Sequence, residues 1–192
     1  MTAQTRESLL DAAGQLITAG RPVNLSDVAG LAGVSRQTVY NEFGGRDRLL
    51  AELSLREGQR VLAEVVRAAR EAPGDLGDAV CASTIVGLRA AADDPLVKAG
   101  VVGSSAPLLP YVTTGAGALL TLLRDGCVEV LLERWPRLDP AETRWAMEMG
   151  VRLSLSHIVL QTEPIEVTAA HTAIVMRRLL GPTEKQAART SP

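Results

Sequence analysis

Apolar residues recur along this chain at the three- and four-residue spacing of α-helices, and no segment alternates apolar and polar residues in the manner of a strand. A first helix is predicted within residues 5–20, where one face carries Leu9, Ala12, Ala13, Leu16 and Ile17. A short second helix follows, with Asn24 or Ser26 as its N-cap. A third helix is predicted from about Ser35 to Phe43, and a pair of glycines ends it.

Helix-breaking residues divide the rest of the chain. A long fourth helix is predicted from near Arg46 to about Ala72, where the sequence APGD interrupts it. Beyond this break, the periodicity predicts helices at about 76–92, 94–101, 107–134, 139–161 and 164–180. Asp139-Pro140-Ala141-Glu142 combines a cap, a first-turn proline and a capping-box glutamate. The prediction is an all-α fold of about nine helices, followed by a disordered tail at 183–192.

The composition favours a core of packed helices. Hydrophobic residues make up 46% of the chain and aromatic residues only 3%, so the core has to be built mainly from Ala, Val and Leu. Cys81 and Cys127 lack zinc-ligand spacing, and we expect both thiols to be buried and reduced. The chain shows neither a signal peptide nor a run of about 18 apolar residues. These features predict a cytoplasmic protein with no membrane span, metal or cofactor.

Residues 25–43 have the pattern of a helix-turn-helix. Gly33 can supply the positive φ that a tight turn needs, and Ala29 is small where the two helices must approach each other. Inward positions are apolar at Val28, Ala32, Val34 and Val39. The other side of the second helix carries the residue types that reach base edges and phosphates in a major groove, namely Ser35, Arg36, Gln37, Thr38 and Asn41.

Residues 1–50 resemble the DNA-binding domain of the TetR (tetracycline repressor) family of bacterial transcription regulators. The family's motifs occur in order and at family spacing, as Ala12-Ala13, Val28-Ala29, Ala32-Gly33-Val34-Ser35, Thr38-Val39-Tyr40, Phe43, Arg46 and Leu49-Leu50. The resemblance implies a three-helix DNA-binding domain at residues 1–50. It also implies a helical effector-binding and dimerisation domain at residues 51–182.

The resemblance further implies roles for individual side chains. Tyr40 and Thr38 would contact phosphates, and Arg46 would hold a phosphate at the N-terminus of the fourth helix. The residues that would read bases are Arg36, Gln37 and Asn41, with Ser35 at the start of the helix. Two alternatives stay open from the residues alone: a solvated face for Arg36, and a Tyr40 ring that covers the core with its hydroxyl in water.

Two positions depart from the family pattern. Arg46 stands where lysine is usual, and either residue can neutralise a phosphate. Glu42 stands where a neutral, aromatic or basic residue is common, and a carboxylate near DNA is repulsive. We therefore expect Glu42 to turn away or to pair with a neighbouring arginine. Residues 1–50 contain five basic and five acidic residues, so their net charge is zero and nonspecific DNA binding should be weak.

The C-terminal two-thirds supplies candidate surfaces for a ligand and a second subunit. The helices at about 139–161 and 164–180 are apolar on more than one face, which favours a homodimer formed through them over burial in a monomeric core. The helices at 76–92 and 107–134 are rich in glycine and poor in bulky side chains, so they either leave a cavity or pack their backbones closely. Candidate lining residues are Cys81, Thr84, Leu88, Leu109, Tyr111, Leu123, Cys127, Trp145 and His157.

These features together predict a ligand-responsive transcriptional regulator. The favoured form is a repressor that binds a near-palindromic operator as a homodimer and is released by a hydrophobic small molecule. The alternatives are an activator, a ligand-independent DNA-binding protein, or a helical carrier without DNA binding. An enzyme is disfavoured because the chain has only two histidines and no metal-ligand spacing, and because Ser156 and His157 point apart on one helix.

Overall fold

The computed structural model describes residues 3–103 and 105–181, which form helices joined by turns and contain no strand. Numbered in chain order, the helices of this part of the chain are α1 (Ala3–Thr18), α2 (Leu25–Ala32), α3 (Arg36–Phe43), α4 (Arg46–Glu71), α5 (Leu76–Asp93), α6 (Pro95–Val97), α7 (Leu109–Val112), α8 (Gly117–Arg134), α9 (Pro140–Val159) and α10 (Ile165–Leu179). A π-helical segment, Lys98–Val102, continues α6. The all-α prediction is confirmed, and the tail expected at 183–192 lies outside the described residues.

The single helix predicted at 107–134 is wrong, because the chain forms α7 and α8 there with a turn between them. Thr113 leaves the helical conformation, with φ −124° and ψ −100°. The N–H of Gly115 then donates to the carbonyl of Pro110 at 2.7 Å. Apolar periodicity continues through this turn, so the hydrophobic pattern alone could not reveal the break.

Packing divides the described residues into two compact units, and the functional division after residue 50 stays a prediction. The first unit contains the chain up to Gly58 together with Ala92–Leu119. The second contains Gln59–Ala91 and the described residues from Leu120 to Gly181. The first half of α4 therefore belongs to one unit and its second half to the other, while α6, the π-helical segment and α7 pack with the N-terminal helices.

The core of the first unit is built around the predicted apolar face of α1. All five residues of that face are buried, and Phe43 of α3 is fully buried as well. Leu96 of α6 and Leu108 pack on the same unit, close to Gly14 and Gly100 respectively. A Cβ added to Gly100 would lie 2.7 Å from Leu108 and 3.3 Å from Ile17 of α1, so the glycine lets the π-helical segment approach α1 closely.

Local capping fixes the helix-turn-helix. The side chain of Asn24 accepts hydrogen bonds from the N–H groups of Ser26 and Asp27, so Asn24 is the N-cap of α2. Gly33 ends α2 with φ 68° and ψ 31°, which is the predicted left-handed conformation. Ser35 then caps α3 by accepting from the N–H of Thr38 at 3.1 Å. These caps set where α2 ends and where α3 begins.

The second unit packs α5, α8, α9 and α10 around a cluster of mostly aliphatic side chains. Its buried members are Val80, Val128, Leu131, Ala146, Met147, Ala173, Met176 and Leu180. Asp139 caps α9 by accepting from the N–H of Glu142 at 2.8 Å, as the sequence predicts. The C-terminal end of α4 is held by Arg134, whose guanidinium donates to the carbonyls of Ala69 and Ala72.

Two glycines of the helix-turn-helix give a matched test of this backbone. Gly33→Ala should lower the free energy of unfolding by about 1 kcal/mol, because alanine is strained at a positive φ. Gly30→Ala should raise it by about 0.5–1 kcal/mol, because Gly30 is inside α2 with nothing within 4 Å of an added Cβ. Urea denaturation followed by circular dichroism measures both. Changes of the same sign would contradict the assigned backbone conformations.

Candidate DNA interface and effector cavity

The predicted recognition surface is the exposed side of α3. Its inner side is anchored by Val39 and Phe43, both fully buried. Tyr40, one of the two tyrosines in the chain, is 55% exposed. The other predicted contact residues of α3 and its cap are exposed or half-buried, namely Ser35, Arg36, Gln37, Thr38 and Asn41. The structure therefore presents all six predicted α3 side chains on the accessible side of one helix.

Hydrogen bonds organise this polar face. The amide of Gln37 donates from Nε2 to Oδ1 of Asn41 at 2.8 Å, one helical turn away. The hydroxyls of Ser35 and Thr38 are 2.8 Å apart. Arg36 makes no ion pair with any residue in the described part of the chain, so its guanidinium is available to a ligand. The face thus offers one unpaired cation beside a coupled pair of amides.

Arg46 is held at the first turn of α4. Its Nε donates to the carbonyl of Val23 at 2.9 Å, while Nη1 lies 3.6 Å from the carboxylate of Asp47. The side chain stays 47% exposed. A shallow depression lies here, lined by Phe43–Arg48. The first N–H groups of a helix are free to bind an anion, so this depression combines backbone donors with an oriented arginine.

Glu42 is neutralised by an arginine from another helix. Nη1 of Arg6 on α1 donates to Oε1 of Glu42 at 2.6 Å, and Nη2 lies 3.0 Å from Glu52 of α4. The same guanidinium lies 5.0 Å from the ring centroid of Phe43. The hydrogen bond to Glu42 is the main cause that raises the pKa of Arg6, so the cation persists at every ordinary pH. This pairing is one of the two outcomes expected for Glu42.

The second unit contains an apolar cavity of about 110 Å³. Residues from the second half of α4 and from α5, α8, α9 and α10 line it: Val61, Leu62, Val65, Ala69, Val80, Ser83, Thr84, Gly87, Leu88, Leu123, Cys127, Val130, Leu131, Met147, Gly150, Val151, Ser154, Leu155, Ile158, Thr172 and Met176. Every helix of the unit therefore contributes to the wall.

Four of the nine residues predicted to line a cavity do so, namely Thr84, Leu88, Leu123 and Cys127. The prediction placed Leu109 and Tyr111 there as well, but both are in the first unit. The turn between α7 and α8 separates them from the α8 residues that reach the cavity. The sequence reasoning also missed the α4 wall, although its apolar residues recur at helical spacing at Val61, Leu62, Val65 and Ala69.

The other three predicted lining residues lie off the helix faces that form the wall. On α9 the wall residues follow the spacing of one helical face, at Met147, Gly150, Val151, Ser154, Leu155 and Ile158. Trp145 and His157 fall outside this face, and Trp145 is 57% exposed. The Nδ1 atom of His157 is buried without a hydrogen-bond partner among the described residues. Cys81 packs against the core cluster instead.

The few polar groups of the wall are mostly satisfied by the protein itself. Three hydroxyls donate to carbonyls of their own helices at 2.9–3.0 Å, namely those of Ser83, Ser154 and Thr172. Cys81 and Cys127 are free thiols, as predicted, but both residues are half-buried rather than fully buried. Burial raises the pKa of Cys127 to about 12, so its sulfur is uncharged.

A stripe of exposed apolar residues runs along α9 and α10. Its members are Trp145, Leu153, Leu160, Val167, Ile174 and Val175, each 39–67% exposed. The opposite sides of both helices are buried in the core, at Ala146, Met147, Ala173 and Met176. These helices therefore carry apolar residues on two faces, as the sequence predicts. We name this stripe the α9–α10 face.

Within the described ranges, no three His, Cys, Asp or Glu side chains are grouped as metal ligands are. Across residues 3–103 and 105–181, no helix is both long and apolar enough to cross a membrane.

The thiol of Cys127 gives a test of the cavity's environment. A folded-state pKa near 12, against an ordinary value of 9.0, means that the thiolate is scarce at pH 9 and that stability falls as the pH rises from about 9 towards 12. Iodoacetamide at pH 9 should modify Cys127 at least about 100-fold more slowly in the folded protein than in guanidinium. Peptide mass spectrometry separates this site from Cys81. Equal rates in the two states would contradict a desolvated thiol.

The chain is similar to known regulators over most of its length. Residues 75–178 match the family model described as the bacterial tetracycline repressor C-terminal domain. The HTH-type transcriptional regulator AlkX of Mycobacterium tuberculosis (strain ATCC 25618 / H37Rv) is 31% identical over 171 residues, which cover 88% of this chain and 81% of the relative.

Solved structures extend this similarity to the fold. The TetR family repressor AlkX from Dietzia sp. strain DQ12-45-1b, which is implicated in the biodegradation of n-alkanes, has 30% identity and a TM-score of 0.74, covering 91% of this chain and 94% of that one. The TetR family repressor QsdR of R. erythropolis shares the fold at 21% identity and a TM-score of 0.70, covering 95% and 97%. Together these matches place the protein among transcriptional regulators rather than enzymes, and the chain belongs to the TetR family.

Proposed function

We propose that this protein is a ligand-responsive repressor that binds a near-palindromic operator as a homodimer and is released by a hydrophobic small molecule. The observation that most supports this proposal is the composition of α4. Its second half supplies Val61, Leu62, Val65 and Ala69 to the apolar cavity. Its first residue is Arg46, the candidate phosphate ligand. One helix therefore contains residues for both the ligand and the DNA.

The DNA contacts divide by chemistry. Arg36 can form a bidentate contact with guanine, and the amides of Gln37 and Asn41 suit adenine. Tyr40 and Thr38 would contact phosphates beside them. Arg46 would hold a further phosphate, and its hydrogen bond to the Val23 carbonyl orients the guanidinium before DNA arrives. Ser35 completes the set by fixing the first turn of α3.

A single DNA-binding head offers only weak electrostatic attraction, since residues 1–50 carry five basic and five acidic groups. Specific binding then depends on two heads that read two half-sites, each in a major groove one helical turn apart. The α9–α10 face is the candidate surface for joining two subunits. Exposed apolar residues at regular spacing on adjacent helices are typical of a face that is covered by a partner.

The effector is expected to be mainly hydrocarbon, because the cavity wall is built from aliphatic side chains. The relative from Dietzia is implicated in n-alkane biodegradation, which supports an alkane-derived ligand for this chain. A ligand that displaces Leu62 or Val65 moves α4, and this helix begins at Arg46. Release requires that the ligand bind the DNA-free arrangement more tightly than the DNA-bound one.

Duplexes selected from a random pool should yield a near-palindrome, and two substitutions should then act differently on it. Arg36→Ala should lose about 1–3 kcal/mol of discrimination at one base position in each half-site, because it removes a base contact. Arg46→Ala should weaken all duplexes alike and reduce the slope of log K against log salt by about 1 for each copy. Fluorescence anisotropy at several salt concentrations measures both effects.

Arg137→Ala provides the control for this experiment, because Arg137 is exposed in the turn between α8 and α9. It removes the same charge without touching the proposed interface. Unchanged DNA binding by the double Arg36→Ala, Tyr40→Phe variant, or failure to select any duplex, would overturn the proposed interface.

The oligomeric state tests the α9–α10 face. Sedimentation equilibrium should give twice the 20.3 kDa chain mass for the wild type and a single chain mass for Ile174→Asp. A carboxylate in an apolar interface loses its water without gaining a counterion. Val102→Asp is the control, because Val102 is equally apolar and 60% exposed in the first unit. A monomeric wild type, or a dimeric Ile174→Asp variant, would contradict this interface.

A further inference from the structure

One hydroxyl in the cavity wall has no hydrogen-bond partner among residues 3–103 and 105–181. The hydroxyls of Ser83, Ser154 and Thr172 are used by helix carbonyls. The hydroxyl of Thr84 neither donates nor accepts a hydrogen bond within the described part of the chain. A serine or threonine in a helix ordinarily donates back to its own turn, as the neighbouring Ser83 does. Thr84 therefore keeps both a donor and an acceptor for an occupant.

The wall offers no ionic partner to an occupant. All of its described residues have uncharged side chains, and the one titratable group is the thiol of Cys127, which burial keeps protonated. An ionised carboxylate or ammonium in this cavity would lose its hydration without gaining an opposite charge, which is strongly unfavourable. A hydroxyl group loses far less on burial, and a single hydrogen bond compensates it.

The cavity is small, and α4 forms one tightly packed side of its wall. An apolar cavity of about 150 Å³ holds a benzene molecule, so a volume of about 110 Å³ accepts only a compact group without rearrangement. The wall is tight on the α4 side. A Cβ added to Gly126 of α8 would lie 2.6 Å from Leu62, and one added to Gly87 of α5 would lie 3.1 Å from Val65. Leu62 and Val65 of α4 therefore pack closely against α8 and α5, and an occupant that extends on this side has to displace them.

We propose that the effector is an uncharged, mainly hydrocarbon molecule with one hydrogen-bonding group, such as a medium-chain alcohol, and that Thr84 is the residue that recognises this group. The inference rests on the proposed ligand response and specifies its chemistry. It predicts that the protein binds a neutral alcohol in preference to the carboxylate of the same hydrocarbon length, which oxidation of that alcohol would produce.

Isothermal titration calorimetry on the full chain at pH 7.5 tests the charge requirement. The probes are 1-octanol, octanoate and octylammonium, which share a chain length and differ in charge. We expect 1-octanol to bind and the two ions to bind at least about tenfold more weakly, because neither ion finds a counterion. Octanoate that binds as tightly as 1-octanol, or the absence of binding by all three probes, would overturn the inference.

Substitutions at two threonines, one in the cavity wall and one outside it, test the role of Thr84. Thr84→Val keeps the shape of the side chain and removes its hydroxyl, so it should weaken the binding of 1-octanol by about three- to tenfold. Toluene, which has no hydrogen-bonding group, should bind the wild type and Thr84→Val alike. Thr113→Val is the matched control, because the Thr113 hydroxyl donates to the carbonyl of Leu109 in the first unit, outside the cavity wall, and it should leave both affinities unchanged. Thr84→Ser should retain the wild-type affinity for 1-octanol.

A Thr84→Ser variant as weak as Thr84→Val would show that the methyl group matters rather than the hydroxyl, and it would overturn the assignment of Thr84. Release of the selected operator duplex is measured separately by anisotropy. If 1-octanol binds but the duplex stays bound, the ligand response fails while the chemistry of the cavity stands. If octanoate binds preferentially and releases the duplex, the response stands and the neutral-ligand inference fails.

Discussion

A core built almost without aromatic side chains has to be filled by helices that approach one another closely, and the rest of this structure depends on that constraint. The chain has only five aromatic residues, and one of them, Phe43, occupies the centre of the first unit. In the second unit, Gly87 and Gly126 bring α5 and α8 against Val65 and Leu62 of α4. Protein interiors are closely packed, and a cavity remains only where small side chains fail to fill the space between neighbouring helices. Close packing on one side of α4 and an apolar cavity beside it have the same cause.

The single carboxylate of α3, Glu42, has a partner in the protein, whereas Arg36 on the same helix makes no ion pair within the described residues. Arg6 pairs with both Glu42 and Glu52, so the negative charge of Glu42 on α3 is compensated by a cation. Arg46 is oriented by a backbone carbonyl and keeps donors free. In the proposed interface, the head would bind DNA through a few well-positioned contacts rather than through net charge, so sequence-specific contacts would contribute a larger share of the affinity.

The proposed regulation follows from the continuity of α4. An apolar pocket elsewhere could bind a ligand without affecting DNA binding, whereas in the proposed regulation a ligand beside Leu62 and Val65 would act on the helix that starts at Arg46. Coupling of this kind needs two arrangements of similar free energy that the ligand and the DNA favour differently. An uncharged ligand suits such a site, since its binding comes from burial of apolar surface and leaves few groups to be desolvated.

Local rules determined much of this protein from its sequence alone. The caps at Asn24, Ser35 and Asp139, the left-handed Gly33 and the buried stripe of α1 depend on neighbouring residues, so short-range patterns predict them. The helix-turn-helix residues were recognisable for the same reason. Only the tertiary structure decided that α6 and α7 join the first unit, that Glu42 pairs with Arg6, and that α4 forms a cavity wall while Tyr111 and His157 do not. Those outcomes depend on which helix faces meet across dozens of residues, and a periodic pattern specifies a face without naming the partner that covers it.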